Sequence, residues 1–67
     1  MITYKELFKS RFILLRKEKK VSQKDLSKKL AVSQESISAY ESGKHLPTLD
    51  VLIKIAYCFG VSTDYLL

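Results

Sequence analysis

The sequence predicts an all-α fold, a compact five-helix bundle forming one domain over residues 1–67, and three observations support this. Gly (2) and Pro (1) are scarce, which favours helices joined by short loops over a turn-rich β-sandwich. Apolar residues make up 46% of the chain, too many for intrinsic disorder. They also recur at helical spacing. A domain of this size buries only about 60% of its unfolded surface, so a deep enzymatic cleft is not expected.

The first predicted helix runs from about Tyr4 to Lys19. Basic residues crowd its last turn, where cations complement the helix dipole. Its apolar residues fall at positions i, i+4 and i+7, on one face: Phe8, Phe12 and Leu15.

Two short helices follow, separated by a tight turn at residues 31–33. Ser22 caps the second helix, and Asp25 completes a short variant of the capping box. Ser33 caps the third helix, which extends to about Ser42. Two short helices around a turn of three or four residues are typical of a helix-turn-helix.

The last two helices are also bounded by capping residues. Thr48 caps the fourth helix, which Gly60 ends, and Ser62 caps a very short fifth helix over residues 63–67. The predicted inward stripe of the fourth helix comprises Leu49, Leu52, Ile55, Ala56 and Phe59.

Charge and cysteine content limit the partners and the compartment. Twelve Lys and Arg against seven Asp and Glu give a net charge of +5, which favours a polyanionic partner, either nucleic acid or an anionic membrane. A basic domain without such a partner is the alternative.

One cysteine allows no internal disulfide, and one His with one Cys forms no closed zinc site, so we expect no metal and no cofactor. The chain has neither a signal peptide nor an apolar run of ~20 residues, so a cytoplasmic protein is expected.

A series of spaced residues extends through about residues 8–67: Leu15-Arg16, Ser22-Gln23-x-x-Leu26, Val32-Ser33, Ile37-Ser38-x-Tyr40-Glu41-x-Gly43-Lys44, Leu46-Pro47-Thr48-Leu49, Leu52, Ile55-Ala56, Phe59-Gly60-Val61-Ser62 and Leu66. This series resembles the DNA-binding domains of phage repressors and Cro proteins, the Cro/C1-type or XRE family. The resemblance implies a lambda-repressor-like fold with a helix-turn-helix at helices 2 and 3. It also implies a transcriptional regulator, most often a repressor, that inserts helix 3 into the major groove of a double-stranded DNA operator.

The resemblance assigns base reading to the outer face of the third helix: Gln34, Glu35, Ser38 and Ala39. Gln34 and Glu35 lie at the amino end, which enters the groove first. A glutamine amide bonds an adenine edge, a glutamate accepts from cytosine N4, and the Ala39 methyl suits a thymine methyl. A polar face that is merely solvated is the alternative.

The resemblance also implies phosphate contacts at Gln23, Ser33, Ser42 and Lys44, with Lys28 and His45 as weaker candidates. Such contacts set register and salt dependence without selecting sequence. For the lysines, ordinary surface solvation is the competing interpretation.

Two further positions carry structural expectations from the family. Arg16 and Glu41 match a largely buried ion pair that fastens helix 1 to the end of helix 3; two unrelated surface charges are the alternative. Position 31, usually Gly in the family, is Ala31 here, and a left-handed backbone at a non-Gly residue costs roughly 1–2 kcal/mol.

Several apolar residues stand where the family is usually polar. They predict an exposed patch that serves a two-fold homodimer, although they could instead complete the small core. These residues are Ile13, Leu14, Val51, Tyr57, Cys58, Tyr65 and Leu67.

Three other functions are weighed against a DNA-binding regulator. The chain could be the antitoxin of a toxin–antitoxin pair, with a toxin or an anti-repressor as protein partner. An enzyme is not expected, because the sequence offers no nucleophile–base pair, no Gly-rich phosphate loop and no ligand cluster, and no small-molecule substrate is predicted. A membrane-surface peptide is disfavoured, because the apolar stripes imply a globular core.

Overall fold

The computed structural model describes residues 3–66, which form five helices and confirm the predicted all-α bundle. The helices are α1 (Tyr4–Glu18), α2 (Gln23–Leu30), α3 (Gln34–Ser42), α4 (Leu49–Phe59) and α5 (Thr63–Leu66). The first helix ends one residue before the predicted Lys19, which instead caps it. Within the described range, none of the helices has the length and apolar character needed to cross a membrane.

Every helix begins at a serine or threonine whose hydroxyl oxygen accepts a hydrogen bond from a backbone N–H three residues later. Helices of eight or nine residues are marginal in isolation, so these bonds, each contributing about 1 kcal/mol, fix where the helices start. The five caps are Thr3, Ser22, Ser33, Thr48 and Ser62.

The core is a single apolar cluster contributed by all five helices. Its centre is aromatic: Phe12 of α1 lies 5.4 Å from Phe8, 6.1 Å from Tyr40 and 6.4 Å from Phe59, measured between ring centroids. These contacts join α1 to α3 and α4, and burial raises the pKa of the Tyr40 hydroxyl above its ordinary value of 10.0. The buried apolar residues are Phe8, Phe12, Leu15, Leu26, Leu30, Ile37, Tyr40, Leu52, Ile55, Ala56, Phe59 and Leu66.

The predicted inward stripe of α4 was wrong at one position. Leu49 is 70% exposed, whereas Leu52, Ile55, Ala56 and Phe59 are buried. Leu49 is the first residue of α4, and it lies in a row of exposed side chains with Ile53 and Tyr57, four and eight residues later.

The turn between α2 and α3 uses a left-handed backbone at Ala31, with φ 56° and ψ 41°. The Ala31 N–H donates to the Lys28 carbonyl at 3.3 Å, and the Val32 N–H donates to the Ser27 carbonyl at 3.0 Å. These bonds satisfy carbonyls at the end of α2, as in a Schellman motif. The short connection therefore keeps its hydrogen bonds while Ala31 carries the backbone strain.

We predict that Ala31→Gly stabilises the domain. Relief of about 1–2 kcal/mol of left-handed strain exceeds the roughly 0.4–1 kcal/mol that a freer unfolded chain costs. Thermal unfolding should show a Tm several degrees above that of the parent protein. Ala39→Gly, inside α3, is the control and should lower stability by about 1 kcal/mol. A variant at position 31 that loses as much stability as this control would contradict the prediction.

Candidate nucleic-acid interface

The helix-turn-helix consists of α2, the turn at residues 31–33 and α3. The inner side of α3 is anchored by Ile37 and Tyr40, both buried in the core. Gly43, with φ 82°, ends α3 in a left-handed cap. The helix is thus held from one side only, and its other side faces outward.

The outward side of α3 carries the four residues predicted to read bases. Gln34, Glu35 and Ser38 are exposed and Ala39 is half-buried. Two shallow depressions share this surface: Glu35, Ser38 and Ala39 line one, and Gln34, Glu35 and Ser38 line the other. The four side chains therefore form one continuous, mostly polar surface.

Most of the predicted phosphate-contacting residues border this surface. Gln23, at the first position of α2, lines a depression with Gln34, while Ser42 and Lys44 line the depression that holds Ala39. A third depression adds two more candidates next to Lys44, namely Ser33 and His45.

Lys28 is placed differently from the other candidates. It is exposed in the last turn of α2 and lines none of these three depressions. Lys28 follows Gln23 by five positions, which places the two side chains about 140° apart around the helix. A phosphate contact from Lys28 would therefore come from a different side of α2.

The structure adds Ser36 to this surface, a residue that the sequence did not single out. Ser36 lines the third depression, and its hydroxyl oxygen lies 3.0 Å from that of Ser33. The Ser33 oxygen also accepts the Ser36 N–H at 3.1 Å. The signal in the sequence was the position of Ser36, three residues after a capping serine.

A network centred on the Glu41 carboxylate joins three segments of the chain. Arg16 of α1 donates from Nε to Glu41 Oε2 and from Nη2 to Oε1, the latter at 3.1 Å. Its third nitrogen, Nη1, donates to the Val21 carbonyl at 3.0 Å. Gln23 of α2 donates from Nε2 to Glu41 Oε1 at 2.9 Å. The family expectation for Arg16 and Glu41 is thus met by a bidentate ion pair that also holds Gln23.

The bond to Glu41 orients Gln23 toward the outer surface. A carboxylate only accepts hydrogen bonds, so the Gln23 amide nitrogen must face Glu41. The second N–H of that nitrogen remains for another acceptor, and Gln23 borders the depression that holds Gln34. The Arg16 charge neutralises Glu41, so the carboxylate does not repel an anion approaching Gln23.

We predict that removing only one partner of the ion pair destabilises the domain more than removing both. The Arg16 and Glu41 side chains are 19% and 12% exposed, so Arg16→Met leaves a largely desolvated carboxylate and should cost about 3 kcal/mol of unfolding free energy. The double variant Arg16→Met/Glu41→Met should recover most of that loss. Urea unfolding of both variants measures the difference, and a double variant less stable than Arg16→Met would contradict the prediction.

The apolar residues predicted to form a dimer patch are spread over several surfaces. Val51 packs against the core and Ile13 is half-buried, while Leu14 is 49% and Tyr57 is 90% exposed. Tyr65 lies 5.0 Å, from ring centroid to guanidinium carbon, beneath Arg11.

Neighbouring residues on a helix project about 100° apart, so Ile13 and Leu14 do not share a face. Cys58 is an exposed free thiol. Leu67 lies outside the described residues. Within residues 3–66, no group of three His, Cys, Asp or Glu side chains is placed to hold a metal ion.

Comparison with known proteins identifies the family. A helix-turn-helix family model matches residues 13–66. An uncharacterized HTH-type transcriptional regulator of Methanocaldococcus jannaschii is 48% identical over 44 residues, which cover 66% of this chain and 67% of the relative. YqaE, an uncharacterized HTH-type transcriptional regulator of Bacillus subtilis, is 40% identical over 52 residues, 78% of this chain and 45% of the relative.

A third relative, the SPbeta prophage-derived uncharacterized HTH-type transcriptional regulator YonR of Bacillus subtilis, is 36% identical over 61 residues, 91% of this chain. The match spans 56% of YonR, so the chain covers about half the length of both Bacillus relatives. No solved structure matches significantly. With an outward polar α3 and a family match over most of its length, the chain belongs to the Cro/C1-type (XRE) helix-turn-helix family of DNA-binding transcriptional regulators.

Proposed function

We propose that the chain is a sequence-specific repressor that inserts α3 into the major groove of an operator. The observation that carries this proposal is the asymmetry of α3: one side is buried through Ile37 and Tyr40, and the other is an uncovered polar surface. A polar helix face of this kind fits between the two phosphate backbones of the major groove, which is about 12 Å wide. Repression follows where the operator overlaps a promoter.

In this proposal the residues divide into two roles. Base contacts come from Gln34, Glu35, Ser38 and Ala39, with Gln34 and Glu35 deepest in the groove. Phosphate contacts come from Gln23 and the other residues that border the same surface, namely Ser33, Ser42, Lys44 and His45, with Lys28 on a separate side. The net charge of +5 supports this division, because phosphate neutralisation provides much of the affinity.

The operator in this proposal is two-fold symmetric. Two reading helices on successive major grooves are ~34 Å apart, which requires two copies of the chain. We therefore propose a homodimer on DNA.

Selection of bound sites from random double-stranded DNA tests the base-reading role. Gln34→Ala should relax preference at one position of each half-site, because a bidentate base contact contributes ~1–3 kcal/mol of discrimination. The optimal site should otherwise be unchanged. An unaltered selected motif would show that Gln34 does not read a base.

The phosphate role of Lys44 is tested by the salt dependence of binding. Lys44→Ala should weaken binding to every site alike and lower the slope of log affinity against log salt by about one. Lys5→Ala, which removes an exposed charge from the first turn of α1, is the matched control and should leave the slope nearly unchanged. Equal effects of the two variants would rule out a specific contact at Lys44.

A further inference from the structure

Positive charge is concentrated at the end of α1 and along α2. Residues 17–29 contain six lysines and two acidic residues, so these thirteen residues carry four of the five net positive charges of the chain. Of these lysines, only Lys28 is among the predicted phosphate contacts, and it lies on a different side of α2 from Gln23. The basic character of this segment is therefore much larger than the contacts around α3 require.

Two of these lysines share one side of α2. Lys24 and Lys28 are four positions apart, so their side chains project within about 40° of each other. Lys20 lies in the turn before α2, two residues before the cap Ser22. All three lysines are exposed, and none of them forms an ion pair with another residue of the 3–66 range. We refer to Lys20, Lys24 and Lys28 as the lysine flank.

The lysine flank is unfavourable for the stability of the free protein. Lys20 has a left-handed backbone with φ 55°, which glycine adopts without strain. Lys24 is the second residue of α2, where the partial positive charge of the helix amino end repels a cation. Lys28 repels it as well, because like charges four residues apart destabilise a helix. Departures from such local preferences are expected at functional sites, and an anion that binds these lysines together accounts for them.

We propose that the lysine flank is a second DNA-binding surface, which binds backbone phosphates beside the base pairs that α3 reads. This inference rests on the proposed function, which places Gln23, the residue before Lys24, against the DNA backbone. Lys24 projects about 100° from Gln23 around α2, so its ammonium group reaches a different phosphate. Duplex DNA carries one negative charge per ~1.7 Å of its axis, so several phosphates are available to the three long side chains.

The neighbouring surface favours DNA over an acidic protein as the ligand of the lysine flank. Lys24 adjoins Gln23 in the chain, and Gln23 borders the depression that Gln34 also lines. A DNA backbone bound at Gln23 extends beyond it in both directions, whereas an acidic protein would have to bind in the space beside the DNA. Because its contacts are to phosphates alone, the flank adds affinity without changing the preferred bases.

The salt dependence of binding to the selected operator tests the lysine flank. Lys24→Gln/Lys28→Gln should lower the slope of log affinity against log salt by about two and leave the selected motif unchanged. Lys29→Gln/Lys54→Gln removes the same charge from another side of α2 and from α4, and it should barely alter the slope. Without DNA, Lys24→Gln/Lys28→Gln should unfold at a Tm no lower than that of the parent protein, which excludes misfolding as the cause of weaker binding.

Uncharged methylphosphonates, placed one at a time in the operator backbone, locate the phosphates that the flank binds. At least one such substitution beside the base pairs that α3 reads should weaken binding by the parent protein about threefold or more. The same substitution should have little effect on Lys24→Gln/Lys28→Gln, because that variant no longer makes the contact. A full effect on the variant at every such position would contradict the proposal.

Lys20→Gly separates the charge of Lys20 from its backbone strain. The variant should have a higher Tm than the parent protein, because glycine adopts this backbone without strain. Its DNA affinity should nevertheless fall about threefold, because one phosphate contact is lost. Lys20→Arg retains the charge and should bind DNA like the parent protein. A Lys20→Gly variant that binds as tightly as the parent would remove Lys20 from the surface.

These outcomes separate the lysine flank from the proposed function. A chain that selects an operator, but for which the two double variants give equal slopes, refutes only the flank, and an acidic protein as its ligand would give this result. A chain that selects no operator, but binds random duplex DNA with a slope that Lys24→Gln/Lys28→Gln lowers by about two, refutes only the repressor.

Discussion

The orientation of α3 depends on the carboxylate of Glu41. That group lies near the carboxyl end of α3 and binds Arg16 of α1 on one side and Gln23 of α2 on the other. Arg16 also holds the carbonyl of Val21, in the connection between the first two helices. Hydrophobic packing fixes the depth of α3 in the bundle, but it is non-directional. The directional bonds of Glu41 fix how α3 is placed relative to α2.

This arrangement explains why a partly buried charge pair is useful even where it adds little net stability. Replacing such a pair with well-packed apolar residues is often neutral or stabilising. Apolar substitutes would not orient the Gln23 amide, however, because an apolar group cannot distinguish its nitrogen from its oxygen. The network therefore connects the core of the domain to the edge of its outer polar surface.

Features that depend on short stretches of sequence were predictable. Ser22, Ser33 and Thr48 cap helices because a serine or threonine hydroxyl satisfies a backbone N–H three residues away. Gly60 ends α4 because it adopts φ 68° without strain. The family resemblance contributed the partnership of Arg16 and Glu41, which lie 25 residues apart.

Features that depend on the final packing were not predictable from the pattern. Leu49 is exposed because a helical repeat gives the direction in which a side chain projects but does not show whether another segment covers it. The bond from Gln23 to Glu41 depends on the angle between α2 and α3. The depression that Ser36 lines likewise arises from the juxtaposition of the turn and the loop after α3.

The side chains of the outermost residues of α3 take no part in the hydrogen bonding that stabilises the fold. Within residues 3–66, the side chains of Gln34, Glu35 and Ser38 make no hydrogen bond to another part of the chain. Their replacement therefore leaves the caps, the core and the Glu41 network intact. Substitutions at these three sites can therefore change the chemistry of the outer surface while the residues that stabilise the fold stay the same. Under the proposed function, a duplicated gene would need few substitutions there to acquire a different DNA preference.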